Sequence, residues 1–185
     1  VSYSVENRGS APLTVNDFDV WLPLPDRAVE SMDFTGRWAK ERQPQRRDIQ
    51  FGVWMREGRE GRPGFDHTIA QLALTRNANF QTGEVWSTGV EFSANPRYGL
   101  EMQPTGKKSM VAGMVLLPGE VILSPGATHH AAPVIAGYSK FGLDGLTSNH
   151  HEWIRSRSNH PTKAKPRPLT LNVWEAVYFN HNFDK

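Results

Sequence analysis

The chain has 185 residues, a net charge of +2 from 21 Lys+Arg against 19 Asp+Glu, and no cysteine. That is enough for one domain with a sizeable core, or one domain plus a piece of another. The missing cysteines exclude a disulfide scaffold and a thiolate metal site and fit a cytoplasmic protein, while the small net charge gives no basic face for nucleic acid.

The chain starts at Val1, already inside a strand-like pattern, which reads as a piece of something longer. No signal peptide and no apolar run of the roughly 18 residues that span a membrane are visible. Val1, Tyr3 and Val5 alternate with polar residues, and Asn7-Arg8-Gly9-Ser10 makes a turn. Leu13, Val15, Phe18, Val20 and Leu22 continue the alternation, so this region is expected to form a hairpin. Pro23-Leu24-Pro25-Asp26 ends it.

Thr35-Gly36-Arg37-Trp38-Ala39-Lys40-Glu41-Arg42, with Gln45-Arg46-Arg47 after it, is the densest cluster of charge in the chain. It reads either as a solvated, salt-bridged loop or as a ligand-facing loop with Trp38 as a stacking plate. Ile49, Phe51, Val53 and Met55 alternate as a strand, and Arg56 to Gly64 is a charged, Gly-rich loop. His67–Leu74, Glu84–Phe92 and Tyr98–Met102 are further expected strands. Met110–Leu117 is a near-continuous apolar run of β length, consistent with a strand buried on both faces. Val121–Leu123 and Pro133–Tyr138 add two more. Roughly ten short strands with turn signals between them predict an all-β, mainly antiparallel sandwich.

The one helical pattern runs from about Leu143 to Arg157, where Leu143, Leu146, His150, Trp153 and Arg157 recur at three-to-four spacing. Asp144 at its start and Arg155 and Arg157 at its end suit the helix dipole. His160-Pro161 stops it, and Thr162 to Arg167 is a basic, Pro-containing linker. Leu169, Leu171 and Val173 then alternate as one more strand, with Trp174 and Glu175 at its end. The C-terminal ends of strands build the active site of an α/β barrel. A mostly β chain is therefore expected to finish by starting a barrel.

Catalytic signals are sparse. His129-His130 and His150-His151 are adjacent pairs whose side chains diverge on a strand or a helix, so neither pair chelates a metal by itself. There is no phosphate loop, no nucleophile elbow and no arguable pair of catalytic carboxylates. No cofactor is called for. Trp174 could offer a flat face to a sugar ring or could be a core residue under a barrel. Glu175 is read as a structural hydrogen-bonding group.

Several stretches together resemble the α-galactosidases of glycoside hydrolase family 36. They are Thr35 to Arg42, Tyr138-Ser139 with Gly142-Leu143-Asp144-Gly145, the helix with His150 and Arg155, His160-Pro161, Pro166-Arg167-Pro168, and above all Leu171-Asn172-Val173-Trp174-Glu175-Ala176-Val177-Tyr178-Phe179. The resemblance implies a β-supersandwich of two large sheets over residues 1–140, an exit helix and linker over 141–167, and the first strand of a truncated (β/α)8 barrel over 168–185. It implies hydrolysis of terminal α-galactosides such as melibiose and raffinose, with retention and without a cofactor. Retention needs two carboxyl groups about 5–5.5 Å apart, and in the family both are aspartates on later barrel strands. This chain is therefore expected to be inactive alone. Trp174 matches a Trp that walls the galactose pocket, and Trp38 a sandwich Trp that reaches it, in tetrameric members from a neighbouring subunit. Many members have Asp where this chain has Asn180. Expected partners are the oligosaccharide, the chain's own catalytic barrel and copies of itself in a homo-oligomer. The competing readings are a free-standing carbohydrate-binding module using Trp38, Trp54 or Trp86, and a β-sandwich with no ligand.

Overall fold

A computed structural model describes residues 1–65, 70–157, 159, 163–182 and 184. The chain forms two compact units, Val1–His150 and His151–Lys185.

The first unit is built from two main antiparallel sheets. One has four strands in the order β3 (Asp19–Leu24), β10 (Lys108–Met114), β9 (Pro96–Met102) and β6 (Gly52–Glu57). The other has five: β13 (Val134–Ser139), β8 (Val85–Val90), β7 (Gln71–Leu74), β4 (Glu30–Arg37) and β5 (Lys40–Asp48). Their inner faces meet at Ala73, Trp86, Leu100 and Met110, with a second contact at Tyr98, Ala112 and Val134. Period-2 alternation sends Leu72 and Leu74 to the opposite face of β7. There they pack with Val85 and with Leu143 and Leu146 of the helix α1 (Gly142–Ser156). Strand β7 is therefore buried on both sides, and so is the centre of β10, where Val111 and Ala112 are fully buried.

Helix α1 starts where the sequence places it, and the local reason is visible. Its first N–H groups, on Gly142, Leu143 and Asp144, donate to the carbonyls of Gly83, Asn79 and Phe80 at 2.9, 3.0 and 2.8 Å, so the end of the helix is satisfied by backbone carbonyls outside it. Gly142 sits at φ 65, and a Cβ there would lie 2.4 Å from the Asn79 carbonyl oxygen, so only glycine fits. His150 meets the sheet, its Nε2 3.0 Å from Ser87 Oγ.

The expected N-terminal hairpin does not form. Strand β1 (Ser4–Glu6) pairs with β12 (Thr128–His130), β2 (Leu13–Thr14) with β11 (Ile122–Leu123), and β3 with β10. The Asn7 turn is real, but it is a crossover. Asn7 is 4% exposed, and its amide donates to the carbonyls of Ala11 and Leu123 while its oxygen accepts from Gly9 N–H. It hands the chain from one distant partner to the next. The His129-His130 pair lies in β12, with each side chain on a different face.

The largest difference is the charged stretch read as a loop, which forms the antiparallel pair β4–β5. Strand β5 (KERQPQRRD) has no apolar alternation to announce it. Its order comes from pairing with β4 and from ion pairs. Of the expected strand at His67–Leu74, residues 70–74 are described and Gln71–Leu74 form a strand, and the expected helix stop at His160-Pro161 lies outside the described residues.

In the second unit, Leu169–Val173 forms no strand, and Trp174–Val177 is a single helical turn, α2. A strand exists only through hydrogen bonds to a neighbour, and no described residue pairs with this segment. Leu169 and Leu171 are 101% and 83% exposed.

Candidate functional site

Trp38 sits at the tip of the β4–β5 hairpin, between Arg37 and Lys40. Two local features shape the tip. The register shifts between Thr35 and Arg37, and a Cβ on Gly36 would lie 2.5 Å from the Lys40 carbonyl oxygen, so this bulge requires glycine. Ala39 adopts the left-handed conformation at φ 61, and Glu41 Oε1 accepts its N–H at 2.8 Å. The indole is 75% exposed, far beyond what a core role allows. It borders a groove of about 430 Å³ shared with Arg37, Glu60, Arg62 and Phe65. A second groove of about 480 Å³ is lined by Phe34, Thr35, Glu41, Arg42 and again Phe65.

The root of the hairpin is held by buried carboxylates. Asp33 on β4 is 1% exposed. Its Oδ1 accepts from Arg47 at 2.7 Å and its Oδ2 from Arg56 at 2.8 Å. Arg47 belongs to β5 and Arg56 to β6, so one carboxylate ties the edge of the five-stranded sheet to the edge of the four-stranded one. Trp54 stacks against both guanidinium groups, with centroid distances of 4.5 and 5.6 Å. Three residues earlier on β4, Glu30 accepts from Arg46 and from Arg76, and Arg76 also pairs with Asp48. Paired and hydrogen-bonded charges can stay buried where a lone one could not. Sequence reading located Arg46 and Arg47 but missed Asp33, Glu30 and Arg56. The available signal was an arginine-rich stretch with no apolar reason to be ordered.

A second charged knot lies on the outer face of the four-stranded sheet. Arg97 donates to Asp19 Oδ2 at 2.8 Å and to Glu57 Oε1 at 2.7 Å, and it also pairs with Asp17. Burial pushes the Asp19 carboxyl above its ordinary value, with Arg97 opposing the shift. Glu57 feels the same burial, but hydrogen bonds and charge from Arg59 and Arg97 hold it below its ordinary value. At the surface, hydrogen bonds from Arg27 and then Tyr138 lower Glu84.

Trp174 belongs to the second unit and is 44% exposed. It opens α2, and its backbone N–H donates to Asn172 Oδ1 at 2.9 Å. Tyr178 and Phe179 meet its ring edge-on, with centroids at 5.4 and 4.9 Å. Trp174 is not a buried core residue in this unit. Trp38 and Trp174 thus present exposed indoles from two separate units. Glu175 is exposed. Among the described residues, no group of three or more His, Asp or Glu side chains is placed to hold a metal ion, and no helix is long and apolar enough to cross a membrane.

Comparison with known proteins is specific. Residues 1–124 match the glycosyl hydrolase family 36 N-terminal domain, and residues 128–185 match the melibiase family. An α-galactosidase of Escherichia coli is 33% identical over 100% of this chain and 26% of its own length. α-Galactosidase AgaA of Geobacillus stearothermophilus is 29% identical over 97% of this chain and 25% of its own length. The crystal structure of that enzyme superposes with a TM-score of 0.82 over 97% of this chain, and a variant of it solved with raffinose gives 0.83. The chain spans about a quarter of the length of these relatives.

Proposed function

Because the chain belongs to glycosyl hydrolase family 36, its first two thirds matching that family's N-terminal domain, we propose that it is the non-catalytic sandwich region of an α-galactosidase. The parent enzyme releases terminal α-galactosyl residues from melibiose- and raffinose-type oligosaccharides with retention. Residues 1–140 form the sandwich, 141–167 lead out of it, and 168–185 begin the catalytic barrel. The sandwich braces that barrel and contributes to oligomer contacts. The two nucleophile and acid/base carboxylates belong to the barrel, and this chain does no chemistry alone.

The observation that carries this reading is the succession of two matches along nearly the whole chain, N-terminal domain first and melibiase second. The exposed apolar run from Leu169 to Phe179 agrees with it. A barrel strand removed from its neighbours has this appearance, since its alternation has nothing to pack on. Trp38 and Trp174 are assigned to the sugar pocket. Both indoles are accessible, and an indole face packs well on the C–H face of a pyranose.

The test is hydrolysis of melibiose and raffinose by the parent enzyme, intact and carrying Trp174→Ala or Trp38→Ala. Both variants should raise KM for these sugars, and a parent that frees no galactose from either sugar would end the proposal. Normal KM in both variants would remove these residues from the pocket. The exposure of Trp38 beside an open groove also favours a second reading, a self-standing sugar-binding module. Titrating residues 1–185 with galactose, melibiose and raffinose separates the two, because tight binding without the barrel supports the module.

A further inference from the structure

We propose that an ordered water molecule is built into the sandwich interior, bridging Gln71 on β7 and Thr88 on β8. The two residues are direct cross-strand partners. Gln71 lies two residues from Ala73 and Thr88 two from Trp86, so both share the inner face that packs against the other sheet. Gln71 is 0% exposed and Thr88 is 1% exposed.

The amide of Gln71 has a defined orientation. Its Nε2 donates to the carbonyls of Met32 and Leu72 at 3.3 and 3.2 Å, so the amide oxygen is the group left over. Neither Gln71 Oε1 nor Thr88 Oγ1 meets a hydrogen-bond partner among the described residues. Two such groups, side by side and both buried, would each lose their hydration without replacement. One water resolves both, donating to Gln71 Oε1 and exchanging a hydrogen bond with the Thr88 hydroxyl. Buried waters take two to four polar partners of this kind. Thr88 lines a slot of about 310 Å³ between β3 and β13, the outer strands of the two sheets, walled by Leu22, Leu24, Met110 and Trp86. Those apolar walls give a mobile solvent molecule no hold, whereas the Gln71–Thr88 pair does.

The experiment is a crystal structure of the parent protein at a resolution that shows solvent, for the unaltered sequence and for Thr88→Val and Thr88→Ser. One water within hydrogen-bond distance of both Gln71 Oε1 and Thr88 Oγ1 is expected in the unaltered protein and in Thr88→Ser. It should be gone in Thr88→Val, and the melting temperature of that variant should fall by about 1–2 °C. A dry interior in the unaltered protein overturns the proposal. So does a Thr88→Val variant that melts at or above the unaltered protein, because removing a partnerless hydroxyl relieves strain while removing a water ligand does not. Should Thr88→Val not fold, the other two maps decide alone.

Discussion

Strand β10 and the segment Leu169–Val173 carry similar apolar content and meet opposite fates. In β10, Met110, Val111 and Ala112 are between 0% and 2% exposed, with hydrogen-bonded neighbours on both sides. In the second segment, Leu169 and Leu171 stand in solvent, and no described residue pairs with them. Alternation in a sequence states which face of a strand wants burial. It does not supply the partner strands that make a strand exist. A third case, β5, has the partner without the alternation. Its residues are mostly exposed and polar, yet it pairs with β4 over nearly its whole length.

This contrast can be broken most strongly at Asp33. Asp33→Ala should destabilise the protein by roughly 3–5 kcal/mol, because it strands Arg47 and Arg56 together at the sheet edges. Chemical denaturation checks this, and a loss under 1 kcal/mol would mean the two edges are held by other contacts. Next comes the apolar core. Leu74 is fully buried, and Leu74→Ala should cost about 2–5 kcal/mol, while Leu171→Ala in residues 1–185 should change stability by less than about 0.5 kcal/mol. Comparable losses at both positions would show that the C-terminal segment is packed after all. Trp38→Ala should leave the melting temperature nearly unchanged and raise KM for raffinose roughly 3–10-fold in the parent enzyme.

The smallest effect concerns pH. Glu57 is held below its ordinary carboxylate value, so its charged form favours the folded state. Its contribution is present above its unfolded pKa and is lost as pH falls through the lower folded one. The stability gap between the unaltered protein and Glu57→Gln should therefore be widest near neutrality and narrow in acid. Asp19, raised by burial, works with the opposite sign, favouring the fold at low pH and losing that contribution as pH rises through its folded value. As pH falls below neutrality, the stability of the unaltered protein relative to the variant should consequently fall for Glu57→Gln and rise for Asp19→Asn. Parallel curves would show that folding shifts neither carboxyl.

The sandwich class, the strands around Met110 and Val134, and helix α1 were legible because their apolar periodicity coincides with what they bury. Pairing was not. Val5 and Leu13 look like two arms of one hairpin, but their partners lie more than a hundred residues away, and nothing in local alternation encodes that distance. Strands β4 and β5 were missed because ion pairs rather than apolar contacts hold much of them. Trp38 stood out from the start, but its bulge and left-handed neighbour Ala39 appear only in three dimensions. Trp174 was noticed as a strand end and proves to open a helical turn.

Strand β5 has one more consequence. It is the outermost strand of its sheet, nine residues long, and long bare edges invite foreign chains to zip onto them. Pro44 offers no amide proton there, and Lys40, Glu41, Arg42, Arg46, Arg47 and Asp48 crowd the same border with charge. A ribbon so unwelcoming to other strands can project an indole outward without turning into a seed for fibres.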